Sequence, residues 1–205
     1  MTFILIFQLL VLLFSVILHE VSHGYVAYLL GDDTAKQSKR LTLNPLAHLD
    51  LWGSFLFPLT LYFISGGNFV FGWAKPVPFN PLQLKKPKRD IGLVGAAGPL
   101  TNLVIALFFS GIIQLINIFN LIFLSPLGHF LALIIYINIL LAVFNLIPIP
   151  PLDGSRIVFS FLPRKWEIFY WNLERYGLFL VMILVFFGFR FVIPIVDFLF
   201  SLLVP

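Results

Sequence analysis

Residues 3–30 read FILIFQLLVLLFSVILHEVSHGYVAYLL, an apolar run interrupted near its end by His19-Glu20-Val21-Ser22-His23. A hydrocarbon core of ~30 Å takes about 20 apolar residues in a helix, and this run is longer than that. Positions i and i+4 share one helix face, so His19 and His23 can present imidazole nitrogens to a single ion. Glu20 stands beside them, where a carboxylate can polarise a water without being a ligand itself. Ionisable groups at membrane depth are costly and mark functional pathways or sites. The stretch therefore raises two expectations together: a membrane-spanning helix, and a hydrolytic zinc site built inside the bilayer.

Composition points the same way. The chain has 205 residues, 60% hydrophobic and 11% charged, with a mean hydropathy of +1.02. A water-soluble domain of this size does not combine so few charges with so much apolar surface. The first run is no signal peptide by its pattern: it exceeds an h-region, lacks a basic n-region, and ends in Gly31-Asp32-Asp33 without a small-residue cleavage site. It carries the motif, so it is expected to stay in the mature protein. The absence of cysteine excludes disulfides and thiolate ligands, leaving nitrogen and oxygen to hold any metal. The net charge is +4, and the basic residues cluster between apolar runs, as topogenic charge does; nucleic-acid binding is not expected.

The expected fold is an all-α polytopic membrane protein in one domain, residues 1–205. Four runs, 3–30, 91–119, 127–147 and 177–203, are each long enough to cross. Residues 51–65 are apolar but short, contain Pro58 and lie between Gly53 and Gly66-Gly67, which suits a re-entrant or half-span segment. Leu41-Thr42-Leu43 is expected as a small β element, 75–90 as a Pro- and Lys-rich loop, and 156–175 as an amphipathic interfacial helix. Twelve of the thirteen Lys and Arg residues fall in 36–89 and 156–175, and residues 120–126 hold none. If 51–65 does not cross, both basic regions share one side, and the positive-inside rule makes it cytoplasmic. His19 and His23 then lie roughly 10–17 Å from the cytoplasmic end of the first helix.

A hydrolytic zinc site needs three protein ligands and an open position. Asp50, Asp90, Asp153 and Asp197 are the acidic residues near apolar runs. Asp153 follows Asn145-Leu146-Ile147-Pro148-Ile149-Pro150-Pro151-Leu152, where three prolines break the third span. Broken helices at membrane depth are tolerated where the freed backbone lines a cavity. Asp153 would also match the histidines in depth, so it is the expected third ligand.

These motifs resemble the site-2 protease family of intramembrane zinc metalloproteases, in its short bacterial form. The resemblance runs through His19-Glu20-Val21-Ser22-His23-Gly24, Asn44-Pro45-Leu46-Ala47-His48-Leu49-Asp50 and Gly72-Trp73-Ala74-Lys75-Pro76-Val77-Pro78. It continues in Gly98-Pro99-Leu100-Thr101-Asn102 and in Asn145 to Gly154, which ends Leu-Asp-Gly. It implies one zinc held by His19, His23 and Asp153, with Glu20 as the catalytic acid/base. It also implies Asn145 and Asn102 beside the active site, as substrate or oxyanion groups. Larger members carry a PDZ-type peptide-binding or a CBS-type nucleotide-sensing domain, and neither is expected here. A transmembrane protein substrate and membrane lipid are the implied partners, in a bacterial cell membrane with the site open to the cytoplasm.

Cleavage requires a substrate helix to unwind, and pairing as an added strand against 41–43 is the expected docking mode. His48 and Asp50 are expected to organise the re-entrant loop. His129, Trp73, Trp166 and Trp171 fit interface anchors. Asn145 could instead bond carbonyls freed by the prolines, and Asn102 could be interhelical glue. Arg190, inside the last span, has no role beyond snorkelling or pairing with Asp197. Two other classes stay open. A zinc transporter should add spans and a second row of polar groups, whereas one cluster is present. A catalytically silent scaffold would not need Glu20 and all three ligands together.

Overall fold

The computed structural model describes residues 2–64, Gly66, Gly72 and 74–204. Trp73, expected as an interface anchor, and Ser65 and Gly67, at the edge of the short apolar segment, lie outside the described residues.

The first run folds as one helix, α1 (Thr2–Leu29). It contains no proline and no glycine before Gly24, so nothing interrupts its bond ladder. It ends where Gly31 takes φ +109° and the N–H groups of Gly31 and Asp32 return to the carbonyls of Tyr28 and Ala27, a Schellman closure. A single turn, α2 (Thr34–Gln37), follows. Leu51–Leu56 then forms wide π-type turns, capped by the Asp50 carboxylate on the Gly53 N–H at 2.7 Å, and continues as α3 (Phe57–Ile64). Six and eight residues at ~1.5 Å each make about 20 Å, too short to cross as a straight helix.

Three further long elements complete the membrane part. They are α4 (Pro87–Ile118), α5 (Ser125–Asn145) and a last span built as α8 (Gly177–Ile183), a π-turn (Leu184–Gly188) and α9 (Phe189–Leu203). Among the described residues four helices are thus long and apolar enough to cross a membrane. Much of their apolar surface, such as Phe3, Leu9, Val104, Phe108 and Phe187, faces outward as lipid contact requires. Helix α4 packs against α1, α5 and the short α6 (Asp153–Phe161), and α9 leans on α5. A buried cluster of Ala106, Ile113, Ile135, Ile139, Val192 and Val196 joins α4, α5 and α9. Lipid tails are as apolar as these side chains, so close packing and polar bonds must hold the helices together. One such bond runs from the buried Asn138 Nδ2 on α5 to the buried Ser15 Oγ on α1, at 3.0 Å.

Three expectations are corrected. Residues 41–43 form no strand, and no strand occurs among the described residues. A strand needs a partner ladder, and here His48 Nε2 bonds the Thr42 carbonyl at 2.8 Å, folding the segment onto its own loop. The amphipathic stretch 156–175 is not one helix: α6 ends at Phe161 and α7 (Glu167–Arg175) begins after Pro163 and a 3-10 turn. The loop expected over 75–90 ends early, because Pro87 starts α4 from a position that needs no N–H.

The junction of α5 with α6 is the tightest point. A Cβ on Gly154 would overlap the backbone carbonyl of Leu146, whereas one on Gly111 would meet nothing within 4 Å. Gly154→Ala should therefore lower stability by ~1–3 kcal/mol, read as a lower unfolding midpoint in detergent. Gly111→Ala should leave the midpoint unchanged or slightly raised; equal loss in both would contradict this packing.

Candidate metal centre

Helical spacing puts His19 and His23 on one face of α1, their rings 4.7 Å apart between centroids and nearly perpendicular at 83°. Asp153 is the first residue of α6, where a helix N-terminus favours a carboxylate. The fold brings these elements together: Asp153 Oδ2 lies 3.0 Å from His19 Nε2 and 3.1 Å from His23 Nε2. All three side chains are buried. Their ligand atoms lie within 4.8 Å of one another.

The outer contacts show what these atoms are prepared to bind. His19 Nδ1 donates to Asn102 Oδ1 at 3.2 Å, and His23 Nδ1 donates to the Val94 carbonyl at 2.6 Å. Both partners are oxygen acceptors, so in a neutral imidazole the ring proton sits on Nδ1 and Nε2 carries a lone pair. In that form two lone pairs and a carboxylate oxygen converge with no donor between them. Such an arrangement repels itself unless a cation or added protons fill it. Two imidazoles and one carboxylate are a zinc donor set that keeps a fourth position open, so the residues fit the ion. Arg156 Nη1 donates to the other carboxylate oxygen, Oδ1, at 3.2 Å and leaves Oδ2 for the centre.

Small residues on α4 make the convergence possible. A Cβ on Gly98 would stand 2.5 Å from His19 Nε2 and His23 Nε2, and one on Gly95 would stand 2.8 Å from the Arg156 Cβ. Real side chains do not come so close, so α4 admits α1 and α6 only where it has no side chain.

Glu20 lies on the same turn of α1, and its Oε2 accepts the Val77 N–H at 2.9 Å. Val77 belongs to an extended strap, residues 74–80, that is tied down at three points. Besides Glu20, these are the His48 carbonyl, bonded by Lys75 N at 2.8 Å, and Asp32 Oδ2, bonded by Asn80 N at 2.5 Å. Asp32 is fully buried and also accepts from the Thr34 N–H at 2.9 Å.

Of the residues expected at the site, His19, His23, Asp153 and Asn102 are joined in one bonded cluster. Asn145 is not joined to it: its Nδ2 bonds the Leu141 carbonyl of its own helix at 3.0 Å. His48 and Asp50 act within their loop. Sequence reasoning missed Val94, Val77, Arg156 and Asp32. The first two act through backbone atoms and leave no side-chain signature, while Arg156 and Asp32 stood beside recognised motifs as ordinary charges.

The family model for Peptidase family M50 matches residues 7–121 and 109–188. The chain is 38% identical over 177 residues to "Putative zinc metalloprotease YwhC" of Bacillus subtilis (strain 168), covering 84% of this chain and 77% of that protein. It is 27% identical over 176 residues to "Putative zinc metalloprotease Rip2" of Mycolicibacterium smegmatis, covering 84% of this chain and 63% of the relative. "Zinc metalloprotease MJ0392" of Methanocaldococcus jannaschii is 31% identical over 161 residues, which make up 77% of this chain and 35% of that protein. No solved structure matches the chain.

Asn102→Leu removes the acceptor that orients His19 and should weaken zinc binding by roughly 10–100-fold. Gly98→Ala should do at least as much by pushing the rings apart. Both are checked by zinc titration of the purified protein against a chelator. Unchanged affinity in Asn102→Leu would mean the His19 tautomer is set by something else.

Proposed function

The chain belongs to peptidase family M50, and we propose that it is an intramembrane zinc metalloprotease of site-2 protease type. On this reading it hydrolyses peptide bonds in or near transmembrane segments of other membrane proteins. The observation that carries the reading is the convergence of His19 Nε2, His23 Nε2 and Asp153 Oδ2 beside Glu20, in an integral membrane protein. One zinc per chain, bound by these three residues, would supply a Lewis acid that activates water and offsets charge on the scissile carbonyl.

The chain's own groups account for the rest. Asn102 and the Val94 carbonyl hold the two imidazoles in the tautomer that offers Nε2. Arg156 keeps the Asp153 carboxylate turned so that one oxygen faces the centre. The Glu20 carboxylate accepts a proton from the attacking water and delivers it to the departing amine nitrogen. Its Oε2 is engaged by Val77 N–H, so a substrate that shifts the strap frees that oxygen for proton transfer.

Asn102 Nδ2 is buried and has no hydrogen-bond partner among the described residues, which suits an amide donor awaiting an oxyanion. For Asn145 the same role requires its amide to leave the Leu141 carbonyl. The proposed setting is a bacterial cell membrane, with lipid and a transmembrane substrate as partners and no nucleic acid. On this reading the site opens toward the cytoplasm, an orientation supported by the charge bias of the two basic regions.

Glu20→Gln should keep its zinc and lose about 10²–10⁴-fold in cleavage of a model transmembrane substrate in liposomes. Full activity in that variant would sink the mechanism. Orientation can be read directly because the chain has no cysteine. A single cysteine at the exposed Lys85 should react with impermeant maleimide from the cytoplasmic side, and one at the exposed Asn120 from the opposite side. The reverse labelling would turn the site away from the cytoplasm.

A further inference from the structure

The last span holds a cation that neither the fold nor the metal centre uses. Arg190 stands thirteen residues from either end of the Gly177–Leu203 span, about 20 Å along the helix from each. An arginine side chain, roughly 7 Å long, does not reach an interface from there, so snorkelling fails as an explanation. Arg190 is exposed. Among the described residues its side chain makes no hydrogen bond or ion pair, and its guanidinium lies over its neighbour Phe191, 4.8 Å from the ring centroid.

A second feature coincides with it. Pro194 has no N–H to return to the Arg190 carbonyl four residues back, so the regular helix bond at that carbonyl is missing. Unmatched side-chain donors and a carbonyl without its regular helix partner thus sit together at mid-bilayer depth. Such groups in a membrane are met by neighbouring helices. The opposite side of α9 is already occupied, since Val192 and Val196 are buried against α5. On the outward side, Phe187 and Phe191, close to the charge along the helix, are 70% and 64% exposed.

The acid nearest in the chain does not serve. Asp197 shares the outward face one heptad on, about 10 Å along the axis, and accepts the Tyr136 hydroxyl at 3.1 Å. A lipid phosphate lies at the interface, too far from mid-depth. A second copy in a two-fold dimer would set Arg190 against Arg190.

We propose that the Arg190 face of α9 is a docking surface for a transmembrane helix of another membrane protein, one with a carboxylate at mid-bilayer depth. The partner's Asp or Glu pairs with the guanidinium, and the phenylalanines close around the pair and exclude water. This assignment rests on the last span alone and is independent of the proteolytic reading.

The test uses the full chain in liposomes, donor-labelled, with acceptor-labelled transmembrane peptides of leucine and alanine carrying Glu, Leu or Lys at the central position. Energy transfer should report association of the Glu peptide about tenfold stronger than the Leu peptide. Arg190→Leu should abolish that preference while zinc content stays unchanged, and Arg190→Glu should prefer the Lys peptide. Equal association of Glu and Leu peptides with the wild type would overturn the proposal, as would a Glu preference that survives Arg190→Leu. Self-association of the chain that depends on Arg190, without any peptide preference, would make a second copy the occupant and also overturn it.

Discussion

Asp153 Oδ2 facing two imidazole nitrogens at 3.0 and 3.1 Å is the contact on which the rest of the molecule depends. It joins the first span to a helix that begins 134 residues later. With neutral imidazoles, three acceptors aimed at one point repel one another. A bound cation or added protons relieve that repulsion, so filling of the site and helix packing reinforce each other. The same charge balance explains why so polar a cluster is tolerated inside an apolar protein.

Helix α4 is the means by which that contact is held. It gives up side chains at Gly95 and Gly98, lets α1 and α6 come close, and supplies the two acceptors that orient the histidines. Within a bilayer, apolar burial does not discriminate between a helix neighbour and lipid, so interhelical polar bonds set rotation and register. Ser15 with Asn138 and His19 with Asn102 lie one turn apart on α1 and lock it against α5 and α4 respectively. A rotation of α1 that misaimed the imidazoles would break both.

Glu20 and the cluster of His19, His23 and Asp153 are held by different means. The cluster is fixed by buried helices, whereas Glu20 is engaged by the backbone of the strap. That strap also carries Phe79, whose ring lies under Arg156 at 5.3 Å. One loop therefore touches Glu20 directly and the Asp153 carboxylate through Arg156. Loops are also the part of a fold that yields most readily to an incoming chain.

Much of this was legible in the sequence, because helix periodicity and hydrophobic length are local properties. The four spans, the His19–His23 pair, the short apolar segment near 51–64 and Asp153 beside a break of three prolines all follow from spacing of a few residues. Local pattern failed where local pattern was not in control. Alternation at Leu41–Leu43 suggested a strand, but among the described residues no partner ladder exists there and His48 folds the segment back. Pro163 divided an amphipathic run that composition alone presented as continuous. Tertiary structure decided which oxygen faces which ring nitrogen, that Asn102 supports His19 while Asn145 bonds its own helix, and that Val77 and Val94 act at the site. The physical reason is that these are contacts between backbone or side-chain atoms dozens of residues apart, fixed by the approach of helices at glycines.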